Sequence, residues 1–277
     1  MNKKKVNLPS NFALIVIPLA IAICYTLFFT VFGHPSNFVD NDPDNHPLPG
    51  NYLGIVYKGG LVIPMLMAFI LMVITFSIER FISLKMAVGN GKIADFTQNL
   101  KKHITLGDLE GAKELCDLQQ GSVGNVVHSV VEKMQEVAKD PTMNTDQKLQ
   151  AVREEHEEST ALEMPMLEKN LNILATLASI ATLVGLLGTV FGMIKAFAAL
   201  ATAGSPDAVA LANGISEALI NTALGIAGST LAIVAYNFFT GKIDNLTNAL
   251  DEIAYSISKQ VSSNIKKVTN NQKVAAN

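Results

Sequence analysis

Between Leu171 and Thr240 the chain runs through two apolar stretches, Leu171–Ala203 and Ala208–Thr240, whose only charged residues are Lys195 and Glu217. Each exceeds the roughly 20 apolar residues that cross a bilayer core of about 30 Å. Hydrocarbon admits such segments as helices, because a helix satisfies its own backbone groups. The Ala-Gly-Ser-Pro sequence at Ala203–Pro206 supplies a turn between them. The stretch predicts a transmembrane helical hairpin, residues 171–241, in an all-α fold.

Membrane helices associate without help from water, so close backbone approach through small residues takes over. Gly185, Gly188 and Gly192 on the first helix, with Gly214, Ala218, Gly225 and Ser229 on the second, recur at helical spacing. These faces are expected to pack against protein. Thr189 lies as far before the turn as Thr222 lies after it, so antiparallel helices bring the two to one depth. Thr182, one heptad before Thr189, faces the same way. Such hydroxyls either bond their own i−4 carbonyls or line a polar path, and both readings stand on the residues alone. Lys195 and Glu217 also fall at nearly one level, on the outer side of the threonines. An intramembrane charge is costly unless paired, hydrated or snorkelled. The two residues therefore either form an ion pair or the lysine reaches the interface along its own stem.

The segments GLLGTVFGMIKAF (Gly185–Phe197), GISEALINTALG (Gly214–Gly225) and AIVAYNFF (Ala232–Phe239) occur in that order and at that separation, with Ile78-Glu79-Arg80 closing an earlier apolar run. Together, over roughly Gly60 to Ser258, they resemble the MotA/TolQ/ExbB proton-channel family, nearer its ExbB and TolQ members than its MotA members. One departure is Thr182, where many members carry proline. The resemblance implies a ring, a pentamer, around the two transmembrane helices of an ExbD-like partner dimer, each helix bearing an aspartate. Thr189, Thr222 and Thr182 would then line the ring. Glu217 would lie on the periplasmic side of the path, and a TonB-like protein would receive the work and energise outer-membrane transport. A TolQ-like subunit for envelope maintenance is the alternative within the family, and a passive membrane scaffold the alternative outside it.

The rest of the chain fits a multi-pass protein. Phe12–Phe32 is too long for a signal-peptide core and lacks an A-x-A-like cleavage site, so it reads as a retained helix in which Pro18 introduces a kink. Its large apolar residues lie nearly all round, which places it outside the ring and away from the pore. His34–Lys58 is predicted as an extended loop, broken by Pro35, Pro43, Pro47, Pro49 and Gly50. The histidines and aspartates there have no metal-ligand spacing. Gly59–Ile78 is the second crossing, ended by Glu79-Arg80.

Eleven of the lysines and arginines lie between Arg80 and Lys169, three precede the first helix and five follow from Lys242. Positive charge favours the cytoplasm, so both termini and the 81–170 segment are expected inside, with four crossings of a bacterial inner membrane. The expected organisation is 1–58 for the first helix and its loop, 59–80 for the second helix, 81–170 for a helical cytoplasmic domain, 171–241 for the hairpin and 242–277 for a C-terminal helix and tail.

Within 81–170, Ile93–His103, Asp108–Leu118 and Val126–Val137 carry apolar residues at spacings of three and four, separated by Gly107 and Gly121. Asn144 with Gln147 reads as a capping box. From there only Pro165 interrupts a helical pattern to Ala203, which as one helix would be about 90 Å long. The Glu154–Glu158 run reads as a solvated face, with His156 as an alternative pH sensor. Leu246, Leu250, Ile253 and Ile257 form one apolar face, and the polar residues beyond Ser262 are expected to fray.

Composition narrows the classes. Hydrophobic residues make up 49% and charged ones 16%, with a net charge of −3; this balance argues against nucleic acid. Cys24 and Cys116 have no CxxC or Cys/His pattern, so neither a disulfide framework nor zinc is indicated. There is no GxxxxGK[ST], HExxH or GxSxG, so an enzyme is not expected, and no cofactor is called for.

Overall fold

The computed structural model describes residues 12–201 and 207–275, with side chains as far as 259. The expected turn at Ala203–Pro206 and the N-terminal lysines lie outside the described residues. The α-helices are α1 (Phe12–Leu27), α2 (Tyr52–Tyr57), α3 (Ile63–Val88), α4 (Ile93–Leu106), α5 (Leu109–Gln119), α6 (Gly121–Lys139), α7 (Thr145–Leu167), α8 (Leu171–Leu200) and α9 (Ala208–Ala275). Among the described residues the only extended pairing is an isolated bridge between Phe38 and Pro47. Among the described residues the fold is all-α, and four helical segments are long and apolar enough to cross a membrane. Contacts divide the chain into two units, one within residues 7–79 and 170–238, the other within 80–169 and 239–277.

In the first unit, α1 contains Pro18 and runs on into a π-helical turn, Phe28–Phe32. The segment that follows is not the extended loop its prolines suggest. Asn37 donates through Nδ2 to the carbonyls of Val31 (2.8 Å) and Phe32 (3.0 Å), and its Oδ1 accepts from Asn51 Nδ2 at 3.0 Å. It thus adds a side-chain donor to carbonyls at a helix end, where partners within the helix run out. Asn51 caps α2, accepting from the Gly54 N–H at 3.1 Å. Tyr57 brings α2 onto Phe28, with ring centroids 4.8 Å apart, and meets Phe38 edge-on at 5.5 Å. Six residues are too few to show a period, so α2 leaves no periodic signal to read.

The second crossing also differs from expectation. Helix α3 starts at Ile63 instead of Gly59, because Gly60 has φ +78°, a left-handed conformation outside a right-handed helix. It then passes through Glu79-Arg80 and ends at Val88. Those two charged residues are buried, at 5% and 1% exposure, and do not mark a solvated helix end.

In the second unit the three short amphipathic patterns become α4, α5 and α6. Gly107, at φ +76°, closes α4, and Gly121 opens α6. Asp108 caps α5 by accepting from the Gly111 N–H at 2.9 Å and faces His103 Nδ1 at 2.8 Å. These two bonds hold its carboxyl below the usual carboxylate range. One face of α6, including Val123, Val126, Val127, Val130 and Val131, is buried. The capping box at the start of α7 forms in both directions, each bond 2.9 Å long.

The acidic run on α7 divides. Glu154, Glu157 and Glu158 are exposed, whereas His156 turns inward and places Nε2 2.9 Å from Asp251 Oδ1 of α9. Leu246, Leu250, Ile253 and Ile257 of α9 are buried, as their spacing predicts.

Two further expectations are corrected here. Helix α7 ends at Leu167, and Asn170, at φ 64°, precedes α8, so no single 90 Å helix forms. Arg80 Nη1 donates to the carbonyls of Met166 (3.4 Å) and Leu167 (3.2 Å), supplying the terminus with donors that a continuing helix would have provided. The polar tail remains helical to Ala275. After Gly241 it contains neither glycine nor proline to stop it.

Cys116 of α5 is buried, and that burial pushes its thiol from 9.0 up to about 12. The thiolate is the reactive form, so Cys116 should resist maleimide at pH 8 in the folded protein and react once it is unfolded. Between pH 9 and pH 12 the unfolded thiol has lost a proton that the folded thiol keeps, so stability falls as pH rises through that window. Equal maleimide rates before and after unfolding would contradict the burial.

Candidate functional site

From Ala181 to Ala196, the buried face of α8 carries only small side chains. The inward face of α8 is Leu171, Leu174, Leu177, Ala181, Gly185, Gly188, Gly192 and Ala196. Leu183, Leu186, Phe191, Ile194 and Phe197 point outward. A side chain at Gly192 would place Cβ 2.6 Å from Ala218 N and 2.7 Å from Gly214 O. At Gly185 it would lie 2.9 Å from Gly225 Cα, and at Gly214, 2.7 Å from Ala196 N. At Gly225 it would come within 2.8 Å of Ala181 O. The helices therefore meet backbone to backbone, the arrangement that small-residue stripes allow. Ser229 adds a hydrogen bond to the carbonyl of Ala178 at 2.5 Å.

This close approach brings Thr189 and Thr222 together, and their hydroxyls are hydrogen-bonded to each other. Each also has a carbonyl within reach. Thr189 Oγ1 is 3.2 Å from Gly185 O and 3.4 Å from Ala218 O, and Thr222 Oγ1 is 3.2 Å from Ala218 O. A hydroxyl has one proton to donate, so one threonine donates to the other and the second donates to a carbonyl. Both readings of the hydroxyls thus have a footing: they bond back to their own helices, and they also join across the hairpin. Thr182 is exposed and takes no part in that pair.

Toward the other end of the hairpin, Lys195 Nζ donates to both oxygens of Glu217, at 2.7 and 2.8 Å, within one chain. The partners differ in environment: the carboxylate side chain is 8% exposed and the lysine 60%. Gly60, at the entry to α3, lies directly against the carboxylate, where a Cβ would collide with Glu217 Oε1.

One residue of the site escaped the sequence reading. Asn221 stands one turn after Glu217 and beside Thr222, is fully buried, and donates through Nδ2 to the carbonyl of Gly59 at 2.9 Å. A second amide-bearing or charged residue after Glu217 in GISEALINTALG was a legible signal, but the partner of Asn221 is 162 residues away. Among the described residues, no group of three or more histidines, cysteines, aspartates or glutamates is arranged to hold a metal.

Fold and site together define a multi-pass helical membrane protein whose tightly packed hairpin carries a hydroxyl pair and an ion pair with a buried carboxylate. Residues 124–252 match the MotA/TolQ/ExbB proton channel family, a narrower span than the resemblance suggested. Among curated proteins it is similar to the Tol-Pal system protein TolQ of Pseudomonas aeruginosa, at 36% identity over 38% of this chain and 46% of the relative. It is also similar to the biopolymer transport protein ExbB of Salmonella typhimurium, at 36% identity over 30% and 34%. The same relative in Pseudomonas putida matches at 42% over 26% and 22%. The chain spans less than half the length of these relatives.

Proposed function

We propose that this chain is the ring-forming proton-channel subunit of an inner-membrane motor. Several copies, five by the family resemblance, enclose the transmembrane helices of an ExbD-like partner dimer, and the work passes to a TonB-like protein that energises outer-membrane transport. The observation that carries the reading is the hydrogen-bonded pair Thr189–Thr222 in a glycine-packed hairpin, inside the segment matched by a proton-channel family.

The chemistry of those residues assigns the labour. Threonine hydroxyls pass hydrogen bonds but do not ionise usefully near neutral pH, so Thr189, Thr222 and Thr182 do not store a proton. The partner's aspartate supplies that store, and Glu217, held by Lys195, stands at the outer end of the path. One charge crossing the membrane is worth about 2.3 kcal/mol per 100 mV, which gives the motor its energy. Lysine and arginine placement supports cytoplasmic termini and a cytoplasmic helical segment between α3 and α8.

Proton flux into liposomes tests the mechanism. The chain alone should conduct poorly, and co-reconstitution with its ExbD-like partner should raise flux by about tenfold or more, equivalent to about 1.4 kcal/mol in barrier. Thr189→Val with Thr222→Val should remove the gain. Equal flux from the chain alone would overturn the shared pore and point to Glu217 as the carrier, a double valine variant that keeps the gain would take the threonines out of the path, and no gain on co-reconstitution of an assembled complex would favour the scaffold.

A TolQ-like role in envelope maintenance has a specific support of its own, since matches to TolQ proteins extend over 106 and 102 residues against 84 for the Salmonella ExbB. Affinity capture with the natural neighbours separates the two: a TonB-like protein supports the transport role, a Tol-Pal-like one the other.

A further inference from the structure

Asn221 is wedged from two sides. Toward α8 it meets Gly188, where a Cβ would fall 2.5 Å from its Cγ and 2.6 Å from its Cβ. Toward the entry of α3 its Nδ2 holds the Gly59 carbonyl at 2.9 Å. The orientation of the amide follows from that partner, because the reverse would set Oδ1 against a carbonyl oxygen. Oδ1 itself has no hydrogen-bond partner among the described residues. A fully buried amide half unsatisfied is costly in a membrane helix, so its one bond, to a residue 162 positions away, is a specific device.

That bond bears on Glu217. Asn221 and Glu217 are four residues apart on α9, hence on one face. The residue after the anchored Gly59 is Gly60, whose backbone lies against the carboxylate so closely that no side chain fits between. The turn around Gly60 is itself closed, with Gly60 N–H bonded to Tyr57 O and Ile63 N–H to Gly60 O, both at 3.2 Å. The ion pair is consequently open on the Lys195 side, 60% exposed, and closed on the side covered by Gly60.

We propose that Asn221 is a positioning residue for Glu217: by anchoring Gly59 it keeps Gly60 over the carboxylate and confines water's approach to the Lys195 side. Its bearing on conduction rests on the proton-channel reading above, whereas its effect on the exposure of Glu217 does not.

The test is modification of Glu217 by a water-soluble carbodiimide, followed by mass spectrometry on the full chain reconstituted with its partner. Asn221→Leu removes the donor at nearly constant volume, and Gly60→Ala attacks the same contact from the other side. Both should raise the modification rate, about fivefold to tenfold for Asn221→Leu, as follows from the loss of one hydrogen bond. Ser229→Ala removes a different buried hydrogen bond of the hairpin and should leave the rate unchanged. An unchanged rate in assembled Asn221→Leu and Gly60→Ala would overturn the proposal, as would an equal rise in Ser229→Ala, which would mean general loosening. Absence of flux in the unmodified complex would count against the channel reading and leave this result standing.

Discussion

Gly192→Leu is expected to eliminate folded protein from the membrane. The position has no room to yield: even a methyl group there would meet the backbone of α9 at 2.6 Å from Ala218 N and 2.7 Å from Gly214 O. Backbone atoms cannot rotate aside as a side-chain tip does, so the helices must separate along the whole contact. Separation would also break the approach at Gly185–Gly225 and Gly214–Ala196. The penalty should exceed the about 1–3 kcal/mol typical of overpacking a core. Gly241→Leu is the matched control, since nothing lies within 4 Å of a side chain built there. Membrane protein level and size-exclusion behaviour in mild detergent provide the readout. A Gly192→Leu protein that accumulates and elutes like its parent would refute the backbone contact.

The second large effect is expected at the ion pair. Lys195→Met leaves Glu217 with a buried, uncompensated charge, and for a fully buried pair that loss costs about 3–5 kcal/mol. The lysine is 60% exposed and the carboxylate 8%, so the cost should fall toward the lower end. Glu217→Gln leaves an ammonium that reaches solvent or the interface and should be milder. Removing both partners costs less than removing the buried carboxylate's partner alone, so Lys195→Met with Glu217→Gln should assemble better than Lys195→Met. Assembly is the cleaner readout, because Glu217 also stands in the proposed path and flux can stay low for that reason. A double-variant defect equal to the sum of the two singles would show that the pair contributes no coupling.

How far the sequence led depends on the range of each interaction. The hairpin, the capping box at Asn144, the amphipathic faces of α4 to α6 and the apolar face of α9 are recorded in neighbouring residues, and a period or a cap exposes them. The shared level of Thr189 with Thr222, and of Lys195 with Glu217, followed from counting outward from one turn. What stayed hidden depended on distant or non-periodic partners. Asn221 acquires its role from Gly59, Arg80 from the end of α7, and the loop after α1 from a single asparagine, Asn37. The break at Asn170 is of the same kind, since nothing in the residues from Glu168 to Asn170 forbids helix as firmly as Pro165 does three positions earlier.

The joined hydroxyls of Thr189 and Thr222 have a sense of direction, and each carries a carbonyl acceptor 3.2 Å away. When a proton hops through such a pair, both O–H dipoles are left reversed, and a second proton cannot follow the same way until they turn back. The side chains themselves are β-branched and stiff, so the reset is a rotation of two hydrogens about their C–O bonds. With an acceptor waiting at either end, both senses are hydrogen-bonded, so in the proposed path the pair would be reset while the helices stand still.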